Sequence, residues 1–307
     1  MIHEYALEPS VLNSWATNDR DYAEFLREYG LGTPRVISSF PKSKGTKLRS
    51  FLLRHSPEDT QSLAGQRYLE IVQKVVESVI IRGVQEQPTQ DWIASVESEN
   101  RRLAFSVILA SVHTPTHNSV SLKTMYFKDS IWNHPRQLSF TRTNESFFEV
   151  IHNLVRLSHS KIVIIDPFGY TDEAFKFIRF MLKSISNNRT SEAFPSITLH
   201  YRENHGGGNG GGSPKADYVY QRLKFATKEL LPNLELKVYE LRETSEGDVF
   251  HNRCILTEHG GVITQHGIGL SGSEAHTDEA ILMEPSIYEK KWKQFVEANS
   301  YQIASEA

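Results

Sequence analysis

Cysteine is nearly absent from this chain. A single Cys254 among 307 residues excludes an internal disulfide and any cysteine-rich zinc site, so a reducing cytoplasm is the expected setting. No stretch is long and apolar enough to span a bilayer, and the opening Met1-Ile2-His3-Glu4-Tyr5 lacks the basic segment and apolar run of a secretory leader. Positive charge is not in excess: 34 Lys and Arg against 37 Asp and Glu give a formal net charge of -3. A globally basic nucleic-acid binder is thereby excluded, and any phosphate-binding surface must be local. No fixed-period repeat is present, which removes solenoids and propellers. His113, His117 and His134 fall in loop-like sequence without zinc spacing, and neither a metal nor a cofactor is expected.

What is present supports a packed core, since 39% of residues are hydrophobic, in one large domain or two modest ones. Ser56-Pro57-Glu58-Asp59 places a capping residue, a first-turn proline and two acids before a helical stripe of Ala64, Tyr68, Ile71, Val72, Val75 and Val79. Ala104 to Ala110 reads as a buried strand, and His113 to Ser121 as a loop. Periodicity breaks at Trp132-Asn133-His134-Pro135-Arg136, which sets a boundary near 130 to 142: an α+β domain over 1–140 and a second domain over 141–307. Beyond it the pattern is regular. Asn144 caps a helix with Phe147, Phe148, Ile151, Leu154 and Val155 on one stripe; a strand at Lys161 to Ile165 ends in Asp166-Pro167. A helix near Asp172 to Ile185, a strand at Ser196 to Tyr201, a helix after Ser213-Pro214 and a strand at Leu234 to Leu241 follow. Alternation of this kind predicts an α/β fold with a mainly parallel sheet and helices on both faces.

The chemistry-bearing stretch is His251-Asn252-Arg253-Cys254-Ile255-Leu256-Thr257-Glu258, followed by Gly260-Gly261 and Gly267-Ile268-Gly269. Alternate residues of a strand share a face, so His251 and Arg253 can present an imidazole and a guanidinium to one anion. The spacing resembles the H-x-K-x4-D signature of the phospholipase D superfamily, with Arg253 in the lysine place and Glu258 in the aspartate place. With Asp166-Pro167-Phe168, the double glycine and the G-x-G, residues 143–307 look most like the phospholipase-D-like C-terminal domain of MIT-domain (microtubule-interacting and trafficking) proteins. Related modules occur in bacterial antiviral defence operons.

In catalytic members of that superfamily one histidine attacks phosphorus and a second protonates the leaving oxygen while cations hold the phosphoryl oxygens. The resemblance thus implies His251 as nucleophile or acid, Arg253 as a bidentate clamp and Glu258 as an orienter of the pocket. The G-S-x-N continuation is missing, because Gly272-Ser273 is followed by Glu274-Ala275. A homodimer could supply the second histidine. MIT-type relatives carry H-x-R without a complete catalytic set and serve in binding.

A second match, His159-Ser160-Lys161 with Asp166 five residues on, reads either as a helix end leading into a strand or as an intramolecular second motif. His251 with Arg253 reads either as a ligand-facing pair or as an inert hydrogen-bonded one. Gly206 to Gly212 reads either as a flexible strand-to-helix loop or as a cradle of backbone amides for a phosphate before the helix capped by Ser213; no G-K-[ST] follows, which favours the loop. Lys42, Lys44, Lys47, Arg49 and Arg54 beside Phe51 form a basic stretch that serves as a solvated face or meets nucleic-acid backbone. The expectation is a phospholipase-D-like module engaging DNA or RNA phosphodiesters within a larger assembly, with metal-independent nuclease activity if the histidines are complete. The competing class is a catalytically silent protein-interaction subunit; anionic lipid heads are a third ligand, disfavoured by the acidic balance.

Overall fold

The computed structural model describes every residue except 84–90, 187–188, 191–192, 206–211, 244–249, 252 and 298–300. It divides into two units, the first Met1–Pro135 with Thr190, the second Arg136–Arg189 and Ala193–Ala307.

In the first unit the chain runs β1 (His3–Leu7), α1 (Pro9–Thr17), α2 (Asp19–Glu28), β2 (Arg35–Ile37), α3 (Gly45–Leu53), α4 (Leu63–Glu77), α5 (Trp92–Arg102), β3 (Val107–Ala110) and β4 (Ser119–Ser121). Its four strands are all parallel in the order β2-β1-β3-β4, with Tyr5 opposite Ile37 on one side and Val107 on the other. Parallel neighbours need crossovers, and helices supply them from β1 to β2 and from β2 to β3. Alternation along β1 then sorts the core. Tyr5 and Leu7 pack with Trp15, Phe25, Tyr68, Ile71 and Val72, whereas Ala6 packs with Ile108, Val96 and Phe105. Helices therefore cover both faces, and the unit is α/β rather than the expected α+β. The strands that decide this are three to five residues long, too short for their periodicity to stand out.

Several boundaries also differ: β3 starts at Val107 rather than Ala104, and in the second unit the helix expected to be capped by Asn144 is capped by Thr143, whose Oγ1 accepts from the Ser146 N–H. The α4 stripe is buried at Tyr68, Ile71, Val72 and Val75, yet its cap is Ser62, whose Oγ accepts from the Gly65 N–H. Asp59 instead accepts from the N–H groups of Gln61 and Ser62, so Ser56 to Asp59 forms the approach to the helix. Ser119–Ser121, expected as loop, is strand β4. Beneath the sheet, Arg82 is fully buried and donates to Glu4 Oε1 at 2.8 Å, Glu99 Oε1 at 2.6 Å and the Leu103 carbonyl, with its guanidinium 3.9 Å from the Phe105 ring centroid.

The second unit runs β5 (Gln137–Arg142), α6 (Asn144–Leu157), β6 (Lys161–Ile165), α7 (Asp172–Ile185), β7 (Ser196–Arg202), α8 (Ala216–Thr227), β8 (Leu236–Arg242), β9 (Cys254–Thr257), β10 (Gly260–Thr264), β11 (Ser273–Leu282), α9 (Pro285–Trp292) with a π-helical turn at Lys293–Glu297, and β12 (Gln302–Glu306). The sheet order is β12-β8-β7-β6-β9-β10-β11-β5. Only β6, β7 and β8 are mutually parallel; every other pairing is antiparallel, so the sheet is mixed rather than mainly parallel. The cause is local. Gly260-Gly261 opens a new strand after the two-residue turn Glu258-His259, and β9 and β10 form a hairpin. A Cβ on Gly261 would sit 2.5 Å from Leu256 Cδ2, so glycine lets the hairpin close. Val163 and Ile165 pack with Leu256, Met283, Tyr288 and Phe295, while the alternate Ile162 and Ile164 are equally buried, which means both faces of β6 are covered. Among the described residues no helix is long and apolar enough to cross a membrane.

Candidate anion-binding site

The β6–β9 pair has two ends, and the expected site residues are divided between them. Ile165 lies opposite Cys254, so Asp166 and Arg253 extend past the pairing at the same end. Ile162 lies opposite Thr257, which brings Lys161 and Glu258 together at the other. Five residues of strand separate the ends by about 16 Å. Arg253 and Glu258 therefore do not share a pocket, and neither do His159 and Asp166.

At the Asp166 end the carboxylate is 2% exposed. Its Oδ1 accepts from the Phe168 N–H at 2.9 Å and its Oδ2 from the Ile268 N–H at 2.7 Å. Burial pushes the carboxyl up, opposed by those two N–H groups and by the charges of Arg253 and Arg142. Gly267 makes the approach possible: its φ is +72°, and a Cβ there would lie 2.1 Å from Asp166 Oδ2. The loop of Gln265 to Gly269 is tied down by buried acceptors. Asp278, on β11, accepts from the N–H groups of Gln265 and His266, and Thr264 Oγ1 accepts from that of Gly267. Its carbonyls then steer two cations: Arg253 Nη1 donates to Gln265 O at 2.8 Å, and Arg142 Nη2 to Gly269 O at 2.6 Å. Among the described residues, the other terminal nitrogens, Arg253 Nη2 and Arg142 Nη1, donate to no protein acceptor.

His251 precedes β9 and is exposed. The Thr264 N–H donates to the Arg253 carbonyl, so His251 and His266 each lie two residues beyond that pairing. His266 is half exposed, with Nδ1 3.4 Å from Oδ1 of the buried Asp278. Arg142, His266 and Asp278 were not among the residues the motif singled out. Arg142 had a legible signal, since Gln137-Leu138-Ser139-Phe140-Thr141 alternates polar and apolar in the manner of a strand.

The Glu258 end is already satisfied. Glu258 Oε1 accepts from the His159 N–H at 2.6 Å and the Ser160 N–H at 3.0 Å, and Oε2 from Ser158 Oγ at 2.8 Å and the Lys161 N–H at 3.4 Å. His159 Nδ1 lies 2.9 Å from Oε1. Burial alone would push the carboxyl up; hydrogen bonds from His159, the charge of His259 and nearby backbone N–H groups outweigh it and hold the group well below the usual carboxylate range. The same hydrogen bond raises the His159 imidazole. His159 thus follows the end of α6 and precedes β6, with half-buried Lys161 as the first residue of the strand. His159, Glu258 and His259 place one donor atom each within 4.8 Å of one another, a spacing a divalent cation could use. The chemistry disfavours it: His259 Nε2 faces the Leu157 carbonyl at 3.2 Å, and the Arg189 guanidinium acts on the same carboxylate.

In the first unit, Lys42, Lys47 and Arg54 gather round one recess, whereas Lys44 and Arg49 are exposed outside its lining. Gly206 to Gly211 of the glycine run lie outside the described residues. His113 and His117 border a different recess with Phe127 and Ile131, and His134 stacks on His3 at 3.6 Å.

Neither a family model nor any curated protein matches the chain. Among solved structures it is similar to Nuc, a phospholipase D family member from Salmonella typhimurium, at 8% identity and a TM-score of 0.32 over 56% of this chain and 99% of that one. It is also similar to TrmBL2, an archaeal chromatin protein with a novel mode of DNA binding, at 8% identity and a TM-score of 0.30, covering 59% of this chain and 57% of that one.

Proposed function

We propose that the second unit binds the phosphodiester groups of DNA or RNA at the Asp166 end of the β6–β9 pair. The carrying observation is the pair of guanidiniums, Arg142 and Arg253, each aimed by one loop carbonyl and each with a second terminal nitrogen that no described protein acceptor engages. The two carboxylates beside them, Asp166 and Asp278, are already occupied by loop N–H groups, and the planar N–H groups of the guanidiniums match the oxygens of a phosphate. The carboxyl end of a parallel strand is also where α/β sheets accept ligands. The test is fluorescence anisotropy of a labelled oligonucleotide. Arg142→Met with Arg253→Met should weaken binding about tenfold and lower the salt slope by roughly 0.7 per lost contact for a single strand. Unchanged affinity would overturn the proposal and favour the catalytically silent protein-docking subunit.

Hydrolysis is the second reading, and His266 favours it, as an exposed imidazole beside a buried carboxylate two residues past the same pairing as His251. One imidazole would take the phosphoryl group as the P–O ester bond breaks, the other would protonate the departing oxygen, and water would then release the phosphohistidine. Cleavage in EDTA that disappears in both His251→Ala and His266→Ala supports this reading. Cleavage indifferent to either substitution removes it.

A further inference from the structure

From Ile162 to Gly169 every residue is buried except Phe168, which is 42% exposed directly after Asp166-Pro167. A lone exposed phenylalanine needs no explanation, but one held rigid beside a candidate phosphate site does. The turn that carries it accounts for its position. Asp166 Oδ1 accepts from the Phe168 N–H at 2.9 Å, the Asp166 carbonyl accepts from the Gly169 N–H at 3.0 Å, and the Phe168 carbonyl accepts from the N–H of Thr171, the cap of α7, at 3.1 Å. Both backbone polar groups of Phe168 are therefore engaged. Gly169 packs so closely on β7 that a Cβ there would lie 2.8 Å from Leu199 Cδ1. The next aromatic residue, Tyr170, takes the inward place, edge-on to buried Tyr201 with ring centroids 5.4 Å apart.

Sheet order sets this ring beside the guanidinium pair. Arg253, Asp166 and Arg202 stand at the same end of the neighbouring strands β9, β6 and β7, and the Arg202 N–H donates to the Pro167 carbonyl. The Arg202 guanidinium lies 5.9 Å from the Phe168 ring centroid, so the ring is on the β7 side of Asp166 and Arg253 on the other. One strand spacing in either direction is about 4.8 Å, which places an aromatic surface within reach of a base whose phosphate rests on Arg253. Contact with Arg202 narrows the rotamers of the ring before a ligand arrives. Every base has a π-face, so stacking on phenylalanine needs no hydrogen-bond readout. In a duplex both faces of a base are covered by its neighbours, and the ring could be used only after unstacking.

We infer that Phe168 is a stacking platform for an unpaired nucleobase, which makes single-stranded nucleic acid the ligand of this end of the sheet. The inference rests on the function proposed above and deepens it: the guanidinium pair takes the phosphate, and Phe168 selects strands whose bases are free. The full chain is titrated by anisotropy with three labelled probes, an oligothymidylate, a strand of equal length made of abasic phosphodiester units, and a blunt duplex. The parent should bind the oligothymidylate about tenfold more tightly than the abasic strand. Phe168→Ala should remove most of that difference by weakening the oligothymidylate alone, and Phe168→Trp should restore it. The salt slope should not change, because no phosphate contact is lost. Affinities of Phe168→Ala for the abasic strand and the duplex should stay within about twofold of the parent, which also shows that the variant is folded. Equal parent affinity for the oligothymidylate and the abasic strand, or a Phe168→Ala loss that is absent or falls alike on all three probes, would overturn the inference. The abasic strand reads the guanidinium pair by itself. Unchanged abasic affinity in Arg142→Met with Arg253→Met removes the proposed function, whereas a loss there beside a Phe168→Ala protein that binds the oligothymidylate as the parent does removes the platform alone.

Discussion

Replacing Glu258 by Gln tests whether the far end of β9 is architecture or site. The amide keeps the shape of the carboxylate but offers one acceptor where five donors converge: the Ser158 hydroxyl, the N–H groups of His159, Ser160 and Lys161, and the His159 imidazole. The least costly orientation keeps oxygen toward the bonds from His159 and Ser160. Its NH2 then faces Ser158, whose hydroxyl can turn to the Lys161 carbonyl 3.1 Å away, and the Lys161 N–H, which is left without its acceptor. Losing the charge on the three hydrogen bonds at that oxygen and stranding one donor sums to about 3 kcal/mol or more, since hydrogen bonds to charged groups contribute about 1.5–3 kcal/mol against about 1 kcal/mol for neutral ones. For a unit of this size that lowers Tm by on the order of 10 °C. Cys254 provides the readout, since its thiol is buried in β9 and pushed up to about 12 by desolvation, so it should react with an alkylating reagent only on unfolding. Oligonucleotide affinity of the folded variant should match the parent. A variant that melts normally yet loses binding would refute the division of the strand into a structural end and a binding end.

Gly267→Ala should cost roughly 2–4 kcal/mol, because it combines a left-handed φ with a Cβ on top of Asp166 Oδ2, and should weaken oligonucleotide binding in parallel; thermal melts and anisotropy check both. Arg82→Met removes the guanidinium facing the fully buried Glu4 and should destabilise the first unit by about 3–5 kcal/mol in urea unfolding, whereas adding Glu4→Leu should return most of it. The pH prediction rests on His159, whose pKa is raised in the folded state: its contribution is complete below the unfolded value of 6.5 and is lost as pH rises through the folded value. The stability difference between parent and His159→Gln should therefore shrink on the alkaline side. Buried His200 and half-buried His152, pushed down to about 3 and about 4, act in the opposite sense and cancel in that difference.

The second unit was the more legible because its elements are long and two-sided. Lys161–Ile165 and Asp172–Ile185 stand where the apolar run and the stripe place them, since a doubly covered strand and an amphipathic helix each write their burial into consecutive residues. Strand direction is not written that way. Ile255, Leu256 and Val262 look alike whether their partner runs parallel or antiparallel, and only the shortness of Glu258-His259 betrays the hairpin. The motif does not gather its own residues at one place, for a related reason. A spacing of H-x-R-x4-E fixes distances along one strand, whereas the cations that meet at Asp166 come from β5 and the start of β9, 111 residues apart. No local pattern encodes that meeting; it is produced by sheet order.

Arg142 reaches the Asp166 end on β5, an edge strand that among the described residues pairs with β11 alone, with an irregular register between Ser273 and Thr277. Outer strands fray first. On the proposed function, an anion held by both guanidiniums would also clamp this margin shut and link occupancy to closure by mass action. Amide exchange at Ser139 and Thr141 becomes a gauge of saturation, and an occupied protein presents a quieter border to stray strands from other chains.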